Sequence, residues 1–345
     1  MNKIFIGIDF SKEKFDATVI TAEGVDEQCD RQHGVFSNDV SGFRRFERWC
    51  RASSGGTDLE RWLFCGEDTG GYSRPLASWL YGRGYSVWLE NALLIKGCNA
   101  LRRLKDDRTD SAMIAEYAMR HADRADLWAP LGESLSQLRE LFLYRHRLVR
   151  HRCSLEVRSS EKRLTLEKSP AKKFMRHSSD RIIAQIGREI AACERMIREL
   201  VASDDELRRS YTVITSMPGI GMVNAVCLIV YTENFRRFGF NARKIATYYG
   251  VAPFGRYSGT SVNTGPHVSP FANRTIKALL SQAAMAAIRF NPVISQYYQG
   301  LIGRGKDKNL ARNNVKCKLI RIITAMVRQG TCFNPEYSWK EGVCA

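Results

Sequence analysis

Between residues 3 and about 125, short apolar β-rich runs alternate with stretches whose apolar positions recur at helical spacing. That alternation predicts an α/β domain around a central sheet. Strands are expected at Lys3–Asp9, at Phe15–Ile20 and around Gly34–Phe36, followed by an amphipathic helix over Val40–Arg51. A fourth strand, Arg61–Gly66, runs into the turn Glu67-Asp68-Thr69-Gly70-Gly71, and a helix over Ser73–Gly82 and a strand at Tyr85–Glu90 follow. From Glu133 to Arg209 the only proline is Pro170, and Leu, Ile, Arg and Glu fall at helical spacing. Two long helices with a break near Ser169–Ser179 are predicted, paired as an antiparallel hairpin or as a dimerising coiled coil. Tyr211 to about Gly330 reads as a third, mainly helical domain. The expected division is 1–128, 129–209 and 210–345.

Composition adds a partner. Lys and Arg outnumber Asp and Glu by 53 to 36, giving a formal charge of +17. A chain this basic favours a polyanion, nucleic acid first. Basic residues gather on the first long helix (Arg145, Arg147, Arg150, Arg152, Arg158) and near the end (Arg304, Lys306, Lys308, Arg312, Lys316, Lys318, Arg321). The first group serves equally well as a solvated face or a nucleic-acid contact; the second has the look of a strip that neutralises phosphates. The longest apolar run, Ala225–Tyr231, is far too short to span a bilayer. The N-terminus lacks the long apolar core of a signal peptide. Ten scattered cysteines form no Cys-x-x-Cys pair and six histidines no His-x-x-x-His pair, which argues against structural zinc and suits reduced thiols in a cytosol.

The candidate chemistry starts with carboxylates. Asp9 and Glu67 end predicted strands, where open α/β sheets bind ligands. The glycines behind Glu67 leave room for close approach. Asp107 and Asp110, three residues apart at the head of a helix over Ser111–His121, share one face. Four converging acids would suit hard divalent cations and phosphoryl transfer. Helix capping by Asp107 and Asp110, with Asp9 and Glu67 serving turns, is an equal alternative on spacing alone.

Three segments go further: Gly7-Ile8-Asp9-Phe10-Ser11-Lys12, Glu67-Asp68-Thr69-Gly70, and Asp107-Arg108-Thr109-Asp110 followed by Ala112 and Ala115-Glu116. In type and order they resemble the DEDD transposases of bacterial insertion sequences, a family that includes Piv-type invertases and bridge-RNA-guided serine recombinases. The resemblance implies an N-terminal RuvC-like, ribonuclease-H-type fold with Asp9, Glu67, Asp107 and Asp110 as ligands of Mg2+. Asp68 stands where the family often has a small residue, and Asp106 adjoins Asp107, so each is an alternative ligand to its neighbour.

A second resemblance lies in the C-terminal domain. Ser216-Met217-Pro218-Gly219-Ile220-Gly221 is similar to that family's helix-hairpin-helix turn. Physically, Gly219 and Gly221 would free amides to hold a phosphate at a helix start, or merely join two helices. Tyr249-Gly250-Val251-Ala252-Pro253 then leads into Arg256-Tyr257-Ser258-Gly259-Thr260-Ser261-Val262, a stretch that reads as a polar loop. The family's nucleophilic serine falls in this loop, and Ser258 is the matching position, with Thr260 and Ser261 as competitors. Tyr257 precedes it where an acidic residue can occur, so its activating group is left open. Arg256 would steady the phosphate. Asn273-Arg274, followed by Lys277, resembles the family's next basic helix, a DNA-backbone contact, to which Lys316 adds a charge.

The function expected from the resemblance is that of an insertion-sequence transposase: a Mg-dependent site-specific recombinase with a covalent phosphoserine–DNA intermediate. It would act on donor and target double-stranded DNA under a non-coding bridge RNA, as a homodimer or tetramer with active sites shared between protomers, in the bacterial cytoplasm. The alternative is a RuvC-like metal nuclease or junction resolvase in which water attacks; a non-catalytic nucleic-acid-binding protein is the third reading. Conserving bond energy in phosphoserine needs no nucleotide, and no Gly-x-x-x-x-Gly-Lys-Ser/Thr motif is present.

Overall fold

The computed structural model of the chain describes residues 4–21, 31–53, 61–97, 107–163, 169–258, 262–268 and 272–336. It divides into two compact units, Met1–Pro130 and Leu131–Ala345. The first is an α/β unit and the second is mainly helical.

In the first unit, strands β1 (Ile4–Phe10), β2 (Lys14–Thr21), β3 (Arg31–Ser37), β4 (Trp62–Glu67) and β5 (Ser86–Glu90) form one sheet in the order β3-β2-β1-β4-β5. β1, β2 and β3 form an antiparallel meander, whereas β4 and β5 lie parallel to β1. Helices α1 (Val40–Ser53), α2 (Arg74–Tyr81), α3 (Ala92–Gly97) and α4 (Asp107–His121) complete the unit. Strand alternation gives the sheet two apolar faces. Ile4, Ile6, Ile8 and Phe10 pack with Phe43, Phe46 and Cys50 of α1 and with Leu76, Ala77 and Leu80 of α2. Phe5, Leu63, Cys65 and Trp88 on the other face pack with Ile114, Tyr117 and Ala118 of α4.

Helix α4 sits on β1 at Gly7. A Cβ there would meet the Ser111 carbonyl oxygen and the Ala115 nitrogen at 2.2 Å each, so only glycine permits the approach. One strand over, the buried Thr18 and Ser111 hydroxyls are 2.8 Å apart.

In the second unit, α5 (Glu133–Arg163) packs along α6 (Pro170–Ser203). The Arg145 guanidinium donates to Glu194 at 2.7–2.8 Å and the Cys193 thiol to the Leu141 carbonyl at 3.3 Å. Six residues separate the two helices, too few to run back along a helix of α5's length, so they are antiparallel. The break falls earlier than the sequence suggested. Residues 170–179 already belong to α6, because the Ser169 side chain caps its first turn by accepting from the Lys172 amide and Pro170 fits its first position. The second long helix also stops at Ser203, where Asp204 accepts from the Glu206 and Leu207 amides and starts α7 (Asp205–Thr215).

Helices α8 (Met222–Thr232), α9 (Ala242–Tyr248), α10 (Arg274–Phe290), α11 (Pro292–Gly303) and α12 (Lys308–Gln329) follow. One apolar core runs from Leu138 and Phe142 of α5 through all of α8 to Val315 and Met326 of α12. The expected polar loop after α9 is instead a hairpin, β6 (Pro253–Ser258) paired antiparallel with β7 (Val262–Val268). Glycine and hydroxyl residues are poor strand signals, and the cross-strand partners that stabilise them are not adjacent in sequence.

We expect Gly7→Val to lower the stability of the α/β unit by more than about 3 kcal/mol, because backbone rather than a flexible side chain must move. A thermal melt checks this; an unchanged midpoint would contradict the close packing of α4 on β1.

Candidate active site and nucleic-acid interface

β1 and β4 are parallel neighbours in register through Ile8 and Gly66. One step on, Asp9 and Glu67 lie side by side at their carboxyl ends, on the face that carries Gly7 and Cys65. Asp16 is the cross-strand partner of Asp9, and Glu90 that of Glu67. Four carboxylates therefore cross β2, β1, β4 and β5 in one row, spaced by the inter-strand distance of about 4.8 Å. Like charges so placed repel.

Side chains of the sheet and of α4 bind the outer pair. Asp16 is buried and takes His33 Nε2 at 3.2 Å and Lys14 Nζ at 3.3 Å. Glu90 accepts from the Asn91 amide at 2.6 Å and the Tyr117 hydroxyl at 3.4 Å. Asp68, the alternative to Glu67, turns to the loop instead: its Oδ1 accepts the Gly70 amide at 3.1 Å, helping Gly70 adopt φ +71°.

The direction of α4 brings its start to this row. Ser111 lies at the level of the Gly7–Thr18 pair. Glu116, farther along the helix, binds Arg31 at 2.8 Å, at the level of Ile20 and Phe5 near the opening of β1. Helix α4 thus runs back along β1, so its amino end, with Asp107 and Asp110, projects toward the strand ends that carry Asp9 and Glu67. That end also carries the positive pole of the helix, which favours anions.

Asp110 is half-buried there, whereas the Asp107 side chain and all of Asp106 lie outside the described residues. Among the described residues, no three acidic, histidine or cysteine side chains close into a ready cation cage. The donor chemistry nonetheless fits a hard divalent cation: the row and the α4 acids offer carboxylate oxygens alone. Sequence reasoning left Asp16 and Glu90 out of the site. Glu90 ended a predicted strand, but only the sheet order places it beside Glu67, and Asp16 needed the hairpin register to fall opposite Asp9.

In the second unit, Ser258 is the last residue of β6. The side chains of Arg256 and Ser258, and all of Gly259, Thr260 and Ser261, lie outside the described residues. The root of this hairpin is firmly held. The Val251 and Ala252 amides both donate to the Ala246 carbonyl, at 3.0 and 3.2 Å. The Val251 carbonyl accepts the Asn313 amide nitrogen at 2.8 Å and the Cys317 thiol at 3.2 Å, both from α12. Asn313 and Cys317, four apart, share one helix face.

The Met217–Gly221 turn connects α7 to α8. A Cβ on Gly219 (φ +94°) would stand 2.5 Å from the Ala287 nitrogen of α10, so this glycine serves close packing. Gly221 faces open space and begins α8 without a side-chain cap, leaving the first amides of α8 as the part of the turn able to meet a phosphate. Asn273 caps α10, with Arg274 in its first position. Lys277 and Lys316 lie on α10 and α12, which pack together. Burial, and the nearby charges of Lys277 and Arg312, hold the Lys316 ammonium below its ordinary pKa.

The first unit presents a strand-end carboxylate row and the second a hairpin that ends its first strand on Ser258 and is held by a basic helix, features of a class of enzymes that act on nucleic acid. Comparison with known proteins names the class more closely. Residues 6–162 match the DEDD transposase model of the IS110 type, described as "Transposase", and residues 211–299 match "Transposase IS116/IS110/IS902 family". Pilin gene-inverting proteins of Moraxella lacunata and Moraxella bovis are each 26% identical over 338 residues, covering 97% of this chain and 98% of theirs. An insertion element IS110 uncharacterized 43.6 kDa protein of Streptomyces coelicolor is 30% identical over 157 residues, 45% of this chain and 38% of that protein. The chain belongs to the IS110-type DEDD transposase family, whose members cleave and rejoin DNA. No helix among the described residues is long and apolar enough to cross a membrane.

Removing the Val251 clamp has a measurable cost. Asn313→Ala should lower stability by about 1 kcal/mol, the net worth of one buried hydrogen bond, and the melting point by about 2–4 °C. Cys317→Ser, which keeps a donor, should cost less; equal losses would show that packing, not hydrogen bonding, holds the hairpin root.

Proposed function

We propose that this chain is a site-specific DNA recombinase whose α/β unit is RuvC-like and binds Mg2+ through Asp9, Glu67, Asp107 and Asp110, and whose nucleophile is Ser258. The observation that carries the reading is the placement of Asp9 and Glu67 on adjacent strand ends with the start of α4 directed at them. Asp107 and Asp110 serve there as ligands. The bound cation would neutralise charge on the scissile phosphate and favour departure of the leaving oxygen. The carboxylates hold and orient it, and Asp16 and Glu90 flank the ligand pair.

In the chemical step, the Ser258 oxygen gives up its proton and forms a bond to phosphorus while the bond from phosphorus to one deoxyribose oxygen breaks. That oxygen leaves as a free hydroxyl after taking up a proton. The phosphoserine ester keeps the energy of the broken bond, so attack by a hydroxyl of another DNA end restores serine and joins the strands without a nucleotide cofactor. Arg256 steadies the phosphate; the first amides of α8 at Gly221, with Arg274, Lys277 and Lys316, hold the flanking backbone, and Gly219 sets the turn that carries those amides. Pairing by a non-coding guide RNA selects donor and target, and a homodimer or tetramer supplies paired sites. The near full-length similarity to proteins named for pilin gene inversion supports site-specific exchange.

Covalent capture tests this. Purified protein, Mg2+, candidate element-end and target DNA and co-purified host RNA are combined, and denaturing electrophoresis compares wild type with Ser258→Ala and Asp9→Ala. A protein–DNA adduct with wild type alone is expected, with at least about 100-fold less in either variant. Cutting without an adduct, retained in Ser258→Ala, would establish hydrolysis by a metal nuclease instead.

A further inference from the structure

The helices that back the hairpin carry a charge imbalance within their own sequence. From residue 272 to residue 330 there are eleven Lys and Arg and one acid, Asp307. That acid is already engaged, accepting from the Asn309 and Leu310 amides as the cap of α12. Arg312 and Lys316 are four apart and share one face of α12. Lys277 stands on α10, which packs against α12. None of these three cations has an ion-pair partner among the described residues, and the buried Nε of Arg312 has no hydrogen-bond partner there. Lys316 is only partly exposed. Like charges are thus gathered on two packed helices with no anion among the described residues to offset them, an arrangement that costs stability until an external anion arrives.

The same helix holds the hairpin. Asn313 and Cys317, each one residue beyond Arg312 and Lys316, donate to the Val251 carbonyl at the root of β6. Whatever binds the three cations is therefore fixed relative to a strand whose last residue is Ser258, no more than about 24 Å from Val251 at about 3.4 Å per residue.

We propose that Lys277, Arg312 and Lys316 form one seat for a single backbone phosphate of duplex DNA, flanking the scissile phosphate and setting the strand's register against Ser258. This deepens the recombinase reading and rests on it for the identity of the polyanion. A shared seat differs from a diffuse basic surface in one respect: its cations answer to the same phosphate, so they are not additive.

Fluorescence anisotropy with the full-length protein and a labelled random-sequence DNA duplex, across a salt series, makes the test. The variants are Lys277→Gln, Lys316→Gln, their double, and Arg289→Gln as an equal loss of charge at the far end of α10, with thermal melts confirming the fold. Either seat variant should weaken binding about tenfold, as expected for one charge-assisted hydrogen bond. Each should also flatten the plot of log affinity against log salt by about one, and the double variant should flatten it no further.

A double variant that flattens the plot by about two would show independent contacts and overturn the seat. So would an Arg289→Gln loss as large as that of Lys316→Gln, which marks a diffuse field. A duplex RNA of equal length is the other arm: loss confined to RNA would assign the seat to that polymer and overturn the DNA proposal. Wild-type protein that binds neither duplex would contradict the recombinase reading itself.

Discussion

Helix α4 lies so near strand β1 that Gly7 has no room for one more carbon; a Cβ there would sit 2.2 Å from backbone atoms of Ser111 and Ala115. The rest of the α/β unit follows from that contact. It lets Ile114, Tyr117 and Ala118 complete the apolar core on that face of the sheet. It also fixes the run of the helix, with Ser111 beside Thr18 and Glu116 beside Arg31, so that the turn before Ser111 faces the strand ends. A side chain at Gly7 would push the helix away, and with it the acids at its start.

This geometry accounts for a row of carboxylates that local stability alone would not favour. Asp16, Asp9, Glu67 and Glu90 occupy adjacent strands on one face, and His33, Lys14 and Tyr117 bind the outer two. The outer acids are thereby oriented by the protein, and a cation at the central pair would relieve repulsion along the whole row. The helical unit mirrors this with the opposite sign. Its α10–α12 region contains a single acid already used as a cap, and its cations are brought together by packing. On the proposed reading, the carboxylates of the first unit hold a cation and the cations of the second hold DNA phosphate, the two kinds of charge that phosphoryl transfer uses.

Much of this was legible in the sequence because it depends on local patterning. The helix after Asn273 was legible through the family resemblance, and the five strands follow from alternation that acts within a few positions. Asp9 and Glu67 stood out for the same reason, each closing a run of apolar residues. What depends on pairing between distant segments was not legible. The stretch around Ser258 read as a loop because its strand character comes from the pairing of Arg256 with Thr264 and of Tyr257 with Asn263. Glu90 and Asp16 joined the row only through sheet order and register. The start of α6 lies earlier than the Ser169–Ser179 break expected, because the Ser169 cap and Pro170 together begin a helix that runs on through the half-buried Ser178 and Ser179.

Fe2+ substituted for Mg2+, with ascorbate and peroxide, generates hydroxyl radicals that cut the polypeptide next to the bound ion, and therefore tests the carboxylate site directly. Backbone cuts clustered near residues 9, 67 and 107–110 are expected, suppressed by excess Mg2+ and lost in Asp9→Asn. Cuts elsewhere, or cuts that persist unchanged in Asp9→Asn, would contradict the carboxylate site.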